Sequence, residues 1–238
     1  MTRNNSNSGM PSLEKYPRKT LRELSKSDAD NTYFVSDEEH EAIDFDAYSK
    51  AFVRTYRRQL REQSVAETSK DATPFSHVPS TLDGLVPPSD RTIKKRYVFL
   101  EFKNRAIFRR NGSERLQLKE SIQSDITYKL YDTAILMHVI GRACLPTGYA
   151  QMDAYVVCSA AKNSEYASTA ESSEQQKRFR AFQSLSGPND ELMDSLDETE
   201  ISAFKPKATR HLTGYLYRSI CFITELQLQS VMEMLEED

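Results

Sequence analysis

The spacing of apolar residues along the chain predicts two long amphipathic helices. Over residues 43–63, apolar side chains recur every three or four positions, at Ile43, Phe45, Tyr48, Phe52, Tyr56 and Leu60. After Ser113 a second set has the same spacing, at Ile122, Ile126, Leu130, Ala134 and Met137. Such spacing places each set on one stripe of a helix that faces a core. Gly141 suits the C-terminus of the second helix.

Other segments are dense in β-forming residues. Residues 96–103 (Arg-Tyr-Val-Phe-Leu-Glu-Phe-Lys), 149–159 and 214–222 are therefore predicted to be strands. Residues 106–109 continue the first of these or begin another strand before the turn dipeptide Asn111-Gly112. A last helix is predicted over 225–236, because Thr224 followed by Gln227 forms a capping-box pattern.

Polar stretches separate these elements and suggest one domain with attachments. Residues 1–37 lack apolar periodicity and are expected to be a flexible N-terminal arm. Residues 38–238 are expected to form a single domain, interrupted by an exposed polar insertion at about 160–207. The longest apolar run lies within 134–140, far short of the roughly 20 residues of a membrane span. With no signal-like segment in residues 1–11, we expect a cytoplasmic protein that does not enter a membrane.

Charge limits the kinds of partner. The 238 residues carry a net charge of -3, so a nucleic acid would have to be bound by local basic patches. Three such patches occur in the sequence, although each also fits an ordinary solvated surface. They are Lys94, Lys95 and Arg96; Lys103, Arg105, Arg109 and Arg110; and Arg54, Arg57, Arg58 and Arg61.

The candidate chemistry lies at Asp83 and in the strand containing Glu101-Phe102-Lys103. Side chains alternate along a strand, so Glu101 and Lys103 are predicted to share one face while Phe102 packs on the other. Asp83 and Glu101 can hold a hard cation such as Mg²⁺ through oxygen atoms, with the backbone carbonyl of Phe102 as a third ligand. Lys103 would then orient or deprotonate the attacking water, or stabilise charge on a phosphate.

Asp83-Gly84, residues 97–104 (Tyr-Val-Phe-Leu-Glu-Phe-Lys-Asn) and the following helix together resemble the core of the PD-(D/E)XK nucleases, which are restriction-endonuclease-like proteins. Residues 129–134 (Lys-Leu-Tyr-Asp-Thr-Ala) add to that resemblance. It implies an α/β fold with an αβββαβ core, in which helices flank a mixed central sheet. It also implies hydrolysis of nucleic acid, with DNA favoured, using Mg²⁺ or Mn²⁺. Leu82 stands where the family has proline.

The resemblance leaves further roles open. A helical acid often assists in this class, and Glu38, Glu39, Glu41 and Glu62 are the candidates here. Lys129 is either a residue that reaches a phosphate or an ordinary lysine on a helix surface.

The same residues also fit simpler explanations. Asp83 before Gly84 also fits a turn, and Glu101 with Lys103 also fits an ion pair on an edge strand. The alternative function is a non-catalytic interaction or regulatory protein on a nuclease-like scaffold. Such a protein would bind another protein through the arm and the insertion. A homodimer is compatible with either function.

Overall fold

The protein is described here from a computed structural model covering residues 10–27, 31–64, 78–88, 96–110, 116–142, 151–164, 209 and 211–237. Eight strands lie in these parts: β1 (Arg18–Thr20), β2 (Glu41–Asp44), β3 (Gly84–Val86), β4 (Tyr97–Lys103), β5 (Phe108–Arg110), β6 (Leu116–Leu118), β7 (Met152–Cys158) and β8 (Ser219–Thr224). The helices are α1 (Leu21–Leu24), α2 (Phe45–Ser64), α3 (Glu120–Val139) and α4 (Glu225–Glu237).

Six strands form one mixed sheet in the order β1-β2-β3-β4-β7-β8. The first three pairings are antiparallel, and β4–β7 and β7–β8 are parallel. Parallel neighbours require a long crossover connection, and the one between β4 and β7 contains the β5–β6 hairpin and α3. This crossover carries α3 past the strand that contains Glu101 and Lys103.

The two faces of the sheet bury different clusters of apolar residues. Phe99 of β4 packs in a cluster with residues of α2 and α3, including Phe52 and Ile126. Val98, Leu100 and Phe102 pack on the opposite face against residues of α4. The strand therefore alternates as predicted, and its odd-numbered residues face α3.

The two long helices are confirmed at 45–64 and 120–139, and the strand predicted at 96–103 is observed at 97–103. The second helix does not begin directly after Ser113, because residues 116–118 form β6. The predicted αβββαβ order is matched only in part, because β5 pairs with β6 in a separate hairpin and does not join the central sheet. The strand on the far side of β3 is β2, which precedes α2. A mixed α/β fold whose sheet is flanked by helices is thus confirmed, and the particular nuclease core remains a prediction.

Part of the predicted N-terminal arm is folded. Strand β1 pairs antiparallel with β2, and α1 begins with a complete capping box between Thr20 and Glu23. Leu13 and Leu21 are buried. Leu13 and Leu21 do not belong to a repeating apolar pattern, so the sequence does not indicate that they are buried. The N-terminal residues 1–9 lie outside the described residues.

The other predicted boundaries have mixed outcomes. Strand β8 begins at Ser219 and not at residue 214, because residues 211–217 form turns in which Gly214 adopts a φ of 77°. Of the predicted insertion at 160–207, only residues 160–164 are described, and 165–207 lie outside. Across the described ranges, no helix combines the length and the apolar content needed to cross a membrane.

Candidate functional site

Asp83 directly precedes β3 and is held against β4. Its Oδ2 atom accepts a hydrogen bond from the backbone N–H of Phe102 at 2.8 Å, and its carbonyl accepts one from the N–H of Phe45 at 2.9 Å. The preceding segment is tied to α3, because the N–H of Leu82 donates to Thr133 Oγ1 at 3.0 Å and that of Ser80 donates to Asp132 Oδ2 at 2.8 Å. Asp83 is thus fixed by α2, α3 and β4.

Glu101 and Lys103 lie together beneath α3. Glu101 is fully buried at 0% exposure, and the residue exposure of Lys103 is 8%. The distance from Lys103 Nζ to Glu101 Oε1 is 2.6 Å. The two side chains share one face of the sheet, as the alternation of the strand predicts.

Lys129 of α3 connects the two candidate carboxylates. Its Nζ atom lies 3.1 Å from Asp83 Oδ1, and 2.8 and 2.9 Å from the Oε1 and Oε2 atoms of Glu101. The Lys129 side chain is only 17% exposed. It is therefore a partly buried member of the site, and the interpretation as a surface lysine is wrong. Asp83 and Glu101 converge with an ammonium group between them.

Asp125 is a site residue that the sequence analysis did not identify. It lies one helical turn before Lys129 on α3, a spacing that places both on the same side of the helix. Its Oδ2 atom is 2.6 Å from Lys103 Nζ and 3.4 Å from an Arg105 guanidinium nitrogen. Lys103 is thus held between a buried glutamate and a partly exposed aspartate.

The charges within this network balance when all of its groups are ionised. Three carboxylates are matched by three cationic groups among the described residues: Asp83, Glu101, Asp125, Lys103, Arg105 and Lys129. Ion pairs of this kind offset part of the cost of removing charges from water.

Burial and neighbouring charges shift the pKa values of three of these groups. Burial, followed by repulsion from Asp83, raises the pKa of Glu101 to about 7. Burial alone would lower the pKa of Lys129, but attraction to Glu101 and Asp83 raises it above its ordinary value. Burial acts to raise the pKa of Asp125, and the contact with Lys103 outweighs it, so that this pKa is lowered.

One oxygen atom of Glu101 contacts two cations. Its Oε1 lies 2.6 Å from Lys103 Nζ and 2.8 Å from Lys129 Nζ. Two ammonium groups therefore share this buried oxygen, which offsets part of the cost of burying the carboxylate.

The donor set suits a small hard cation. Within the described parts of the chain, no cluster of three or more His, Cys, Asp or Glu side chains could hold a metal ion. Asp83 and Glu101 supply two carboxylates. The N–H and C=O of a strand residue point to the same side of the strand. The N–H of Phe102 points to Asp83, so the carbonyl of Phe102 lies on the Asp83 side of β4 as well. Mg²⁺ is commonly bound by one or two carboxylates and retains several waters, so these residues fit it.

The predicted helical acids lie elsewhere. Glu38 pairs with Arg22, and Glu62 is 4.0 Å from Arg58. Glu39 and Glu41 are exposed. Within the charged network α3 contributes Asp125, which contacts Lys103 and Arg105.

The basic residues are only partly described. Arg109 is half-exposed and pairs with Glu120 at 2.9 Å. On α2, Arg54, Arg58 and Arg61 are exposed. Lys94 and Lys95 lie outside the described residues.

Comparisons of the chain with protein-family models, curated proteins and solved structures give no match. The nuclease class therefore remains a prediction that depends on the residues and geometry given above.

Proposed function

We propose that this protein is a nuclease that hydrolyses phosphodiester bonds in nucleic acid, with DNA favoured, and that depends on Mg²⁺ or Mn²⁺. One observation carries the proposal: the fully buried carboxylate of Glu101 faces that of Asp83 across a single ammonium group, with Lys103 2.6 Å away. Charged groups of this kind are costly to bury unless they serve one another or a ligand.

Asp83, Glu101 and the carbonyl of Phe102 would hold the cation. When bound, the cation supplies Lewis-acid activation of the phosphodiester. Lys103 keeps its position because Glu101 and Asp125 hold its ammonium group from two sides, at 2.6 Å each. From there it orients the attacking water or stabilises the charge that develops on the phosphate.

Nucleic acid would be bound by Arg105, at the exposed margin of the network, and by arginines beyond it. Arg105 and Arg109 follow β4, and Arg54, Arg58 and Arg61 lie on the exposed side of α2. Contacts of arginine to phosphate position a nucleic acid without reading its sequence. A cytoplasmic location is consistent with this function.

Replacement of Glu101 tests the proposal. Glu101→Ala and the closer isostere Glu101→Gln should abolish Mg²⁺- and Mn²⁺-dependent cleavage of DNA and RNA probes, while circular dichroism reports an intact fold. Glu233→Ala is the matched control, because Glu233 is exposed on α4 and contacts only Gln229 among the hydrogen bonds of the described residues. Full activity of Glu101→Ala would exclude this nuclease mechanism.

A second function is favoured by the position of Lys129. Its ammonium group contacts both carboxylates, and together with Lys103 and Arg105 it balances the three acids of the network without a metal. The fold would then serve as a non-catalytic scaffold that binds a protein partner or a second copy through the N-terminal arm or the insertion. Calorimetric titration with Mg²⁺ or Mn²⁺ separates the two functions. No heat of binding, and the same titration curve for Asp83→Asn as for the unaltered protein, would favour the scaffold.

A further inference from the structure

Lys129 lies where the two carboxylates converge. Its Nζ atom contacts Asp83 Oδ1 at 3.1 Å and both oxygens of Glu101 at 2.8 and 2.9 Å. Two carboxylates at such close range repel each other unless a cation lies between them. The ammonium group of Lys129 meets this electrostatic need.

A divalent cation held by Asp83 and Glu101 would need the same oxygen atoms. We infer that Lys129 is a built-in competitor of the metal: its ammonium group pairs with Asp83 and Glu101 in the metal-free protein and leaves them when Mg²⁺ or Mn²⁺ binds. This inference rests on the proposed function, because it takes the carboxylate pair to be a metal site.

The site allows Lys129 to leave. Glu101 is fully buried, but the Asp83 side chain is 26% exposed and that of Lys129 is 17% exposed. The network is therefore open to water on the side of these two residues. A lysine side chain is long and flexible, and can move its charged end to solvent while its methylene groups stay packed.

Lys103 does not fit the competitor's role. Its ammonium group contacts Glu101 and is also held at 2.6 Å by Asp125. Among the described residues, Lys129 is the cation that bridges both Asp83 and Glu101. Competition should therefore be specific to Lys129.

Metal titration of variants tests the inference. Calorimetry with Mn²⁺ should show that Lys129→Met binds about tenfold more tightly than the unaltered protein, a coupling of ordinary size. Lys129→Arg keeps the charge and should bind no more tightly than the unaltered protein. Lys50→Met is the matched control, because Lys50 pairs with Asp46 on α2, and its affinity should not change.

The titration distinguishes failure of the competition from failure of the metal site. If Mn²⁺ binds to the unaltered protein and to Lys129→Met with equal affinity, the competition is overturned and the nuclease proposal stands. If Mn²⁺ binds to neither protein, the metal site itself is excluded and both ideas fail.

A second measurement needs no variant, and so does not depend on whether Lys129→Met folds. Lysine acylation of the unaltered protein is followed by quantitative mass spectrometry with and without Mn²⁺. Lys129 should become several-fold more reactive when Mn²⁺ is present, with the exposed Lys50 as an internal reference. Unchanged reactivity of Lys129 at saturating Mn²⁺ would overturn the inference.

Discussion

The backbone N–H of Phe102 donates a 2.8 Å hydrogen bond to the carboxylate of Asp83. The position of Asp83 is therefore set by the backbone of the same strand that carries Glu101 and Lys103. A turn residue that only precedes Gly84 would not need this contact, so the relationship favours a shared site.

Asp83→Asn and Asp83→Ala should separate the hydrogen bond from the charge. Asparagine keeps an acceptor oxygen for Phe102, whereas alanine loses it. We expect alanine to lower the free energy of unfolding by about 1–2 kcal/mol more than asparagine does, as for a hydrogen bond to a partly buried group. Urea unfolding measures the difference. Equal stabilities would show that the bond contributes nothing.

Stability should depend on pH through Glu101. Its pKa of about 7 lies above the ordinary value of 4.5, so the folded protein holds this proton more tightly than the unfolded chain does. The contribution of Glu101 to stability therefore falls as pH rises from about 4.5 to about 7 and is level above that, a loss of up to about 3 kcal/mol. Glu101→Gln cannot titrate and should lack this slope.

Urea unfolding of both proteins between pH 4.5 and 8 checks this expectation. Glu62→Gln is the control, because Glu62 is exposed on α2 and its variant should follow the unaltered protein. Parallel curves for the unaltered protein and Glu101→Gln would rule out an elevated pKa at Glu101.

Asp125 should act by positioning Lys103. Asp125→Asn removes the charge that holds the ammonium group at 2.6 Å. Loss of a supporting contact of this kind typically costs about 10–100-fold in activity. We expect that loss in single-turnover cleavage, with Mn²⁺ affinity nearly unchanged. Glu233→Gln, on the exposed side of α4, should leave both quantities unchanged, and an unimpaired Asp125→Asn would remove Asp125 from the mechanism.

Thr133 should matter for the segment that leads to Asp83. Its hydroxyl is fully buried and accepts the N–H of Leu82 at 3.0 Å. Thr133→Val has a similar shape but leaves that N–H without its partner, which should cost about 1–3 kcal/mol of unfolding free energy. Thr133→Ser keeps the oxygen and should cost less. Thermal unfolding ranks the two variants, and the reverse order would contradict the assigned role of the hydroxyl.

The elements that the sequence predicts well are those with a repeated pattern. Helices α2 and α3 and strand β4 extend over enough residues for periodicity or β-propensity to identify them. Strand β1 and helix α1 have three and four residues. Strand β1 depends on its pairing with β2, and the local signal for α1 is a single capping box at Thr20 and Glu23. The pattern within such short elements is too brief to be informative.

The same distinction applies to the residues of the candidate site. The shared face of Glu101 and Lys103 follows from strand alternation, so it was predictable. Asp125 and Lys129 follow from the crossover that brings α3 over β4, which is a tertiary arrangement. Their spacing of one helical turn, beside the apolar stripe at Ile126 and Leu130, is the sequence signal that could have identified them.

Helix α3 contacts both the segment that leads to Asp83 and the charged network at Glu101 and Lys103. Asp132 and Thr133 bind the segment before Asp83. Lys129, one turn earlier, contacts Asp83 and Glu101, and Asp125, two turns earlier, contacts Lys103. A shift of this helix along its axis would break all four attachments at once. Amide hydrogen exchange in the middle of α3 therefore serves as a direct gauge of whether the cluster is assembled.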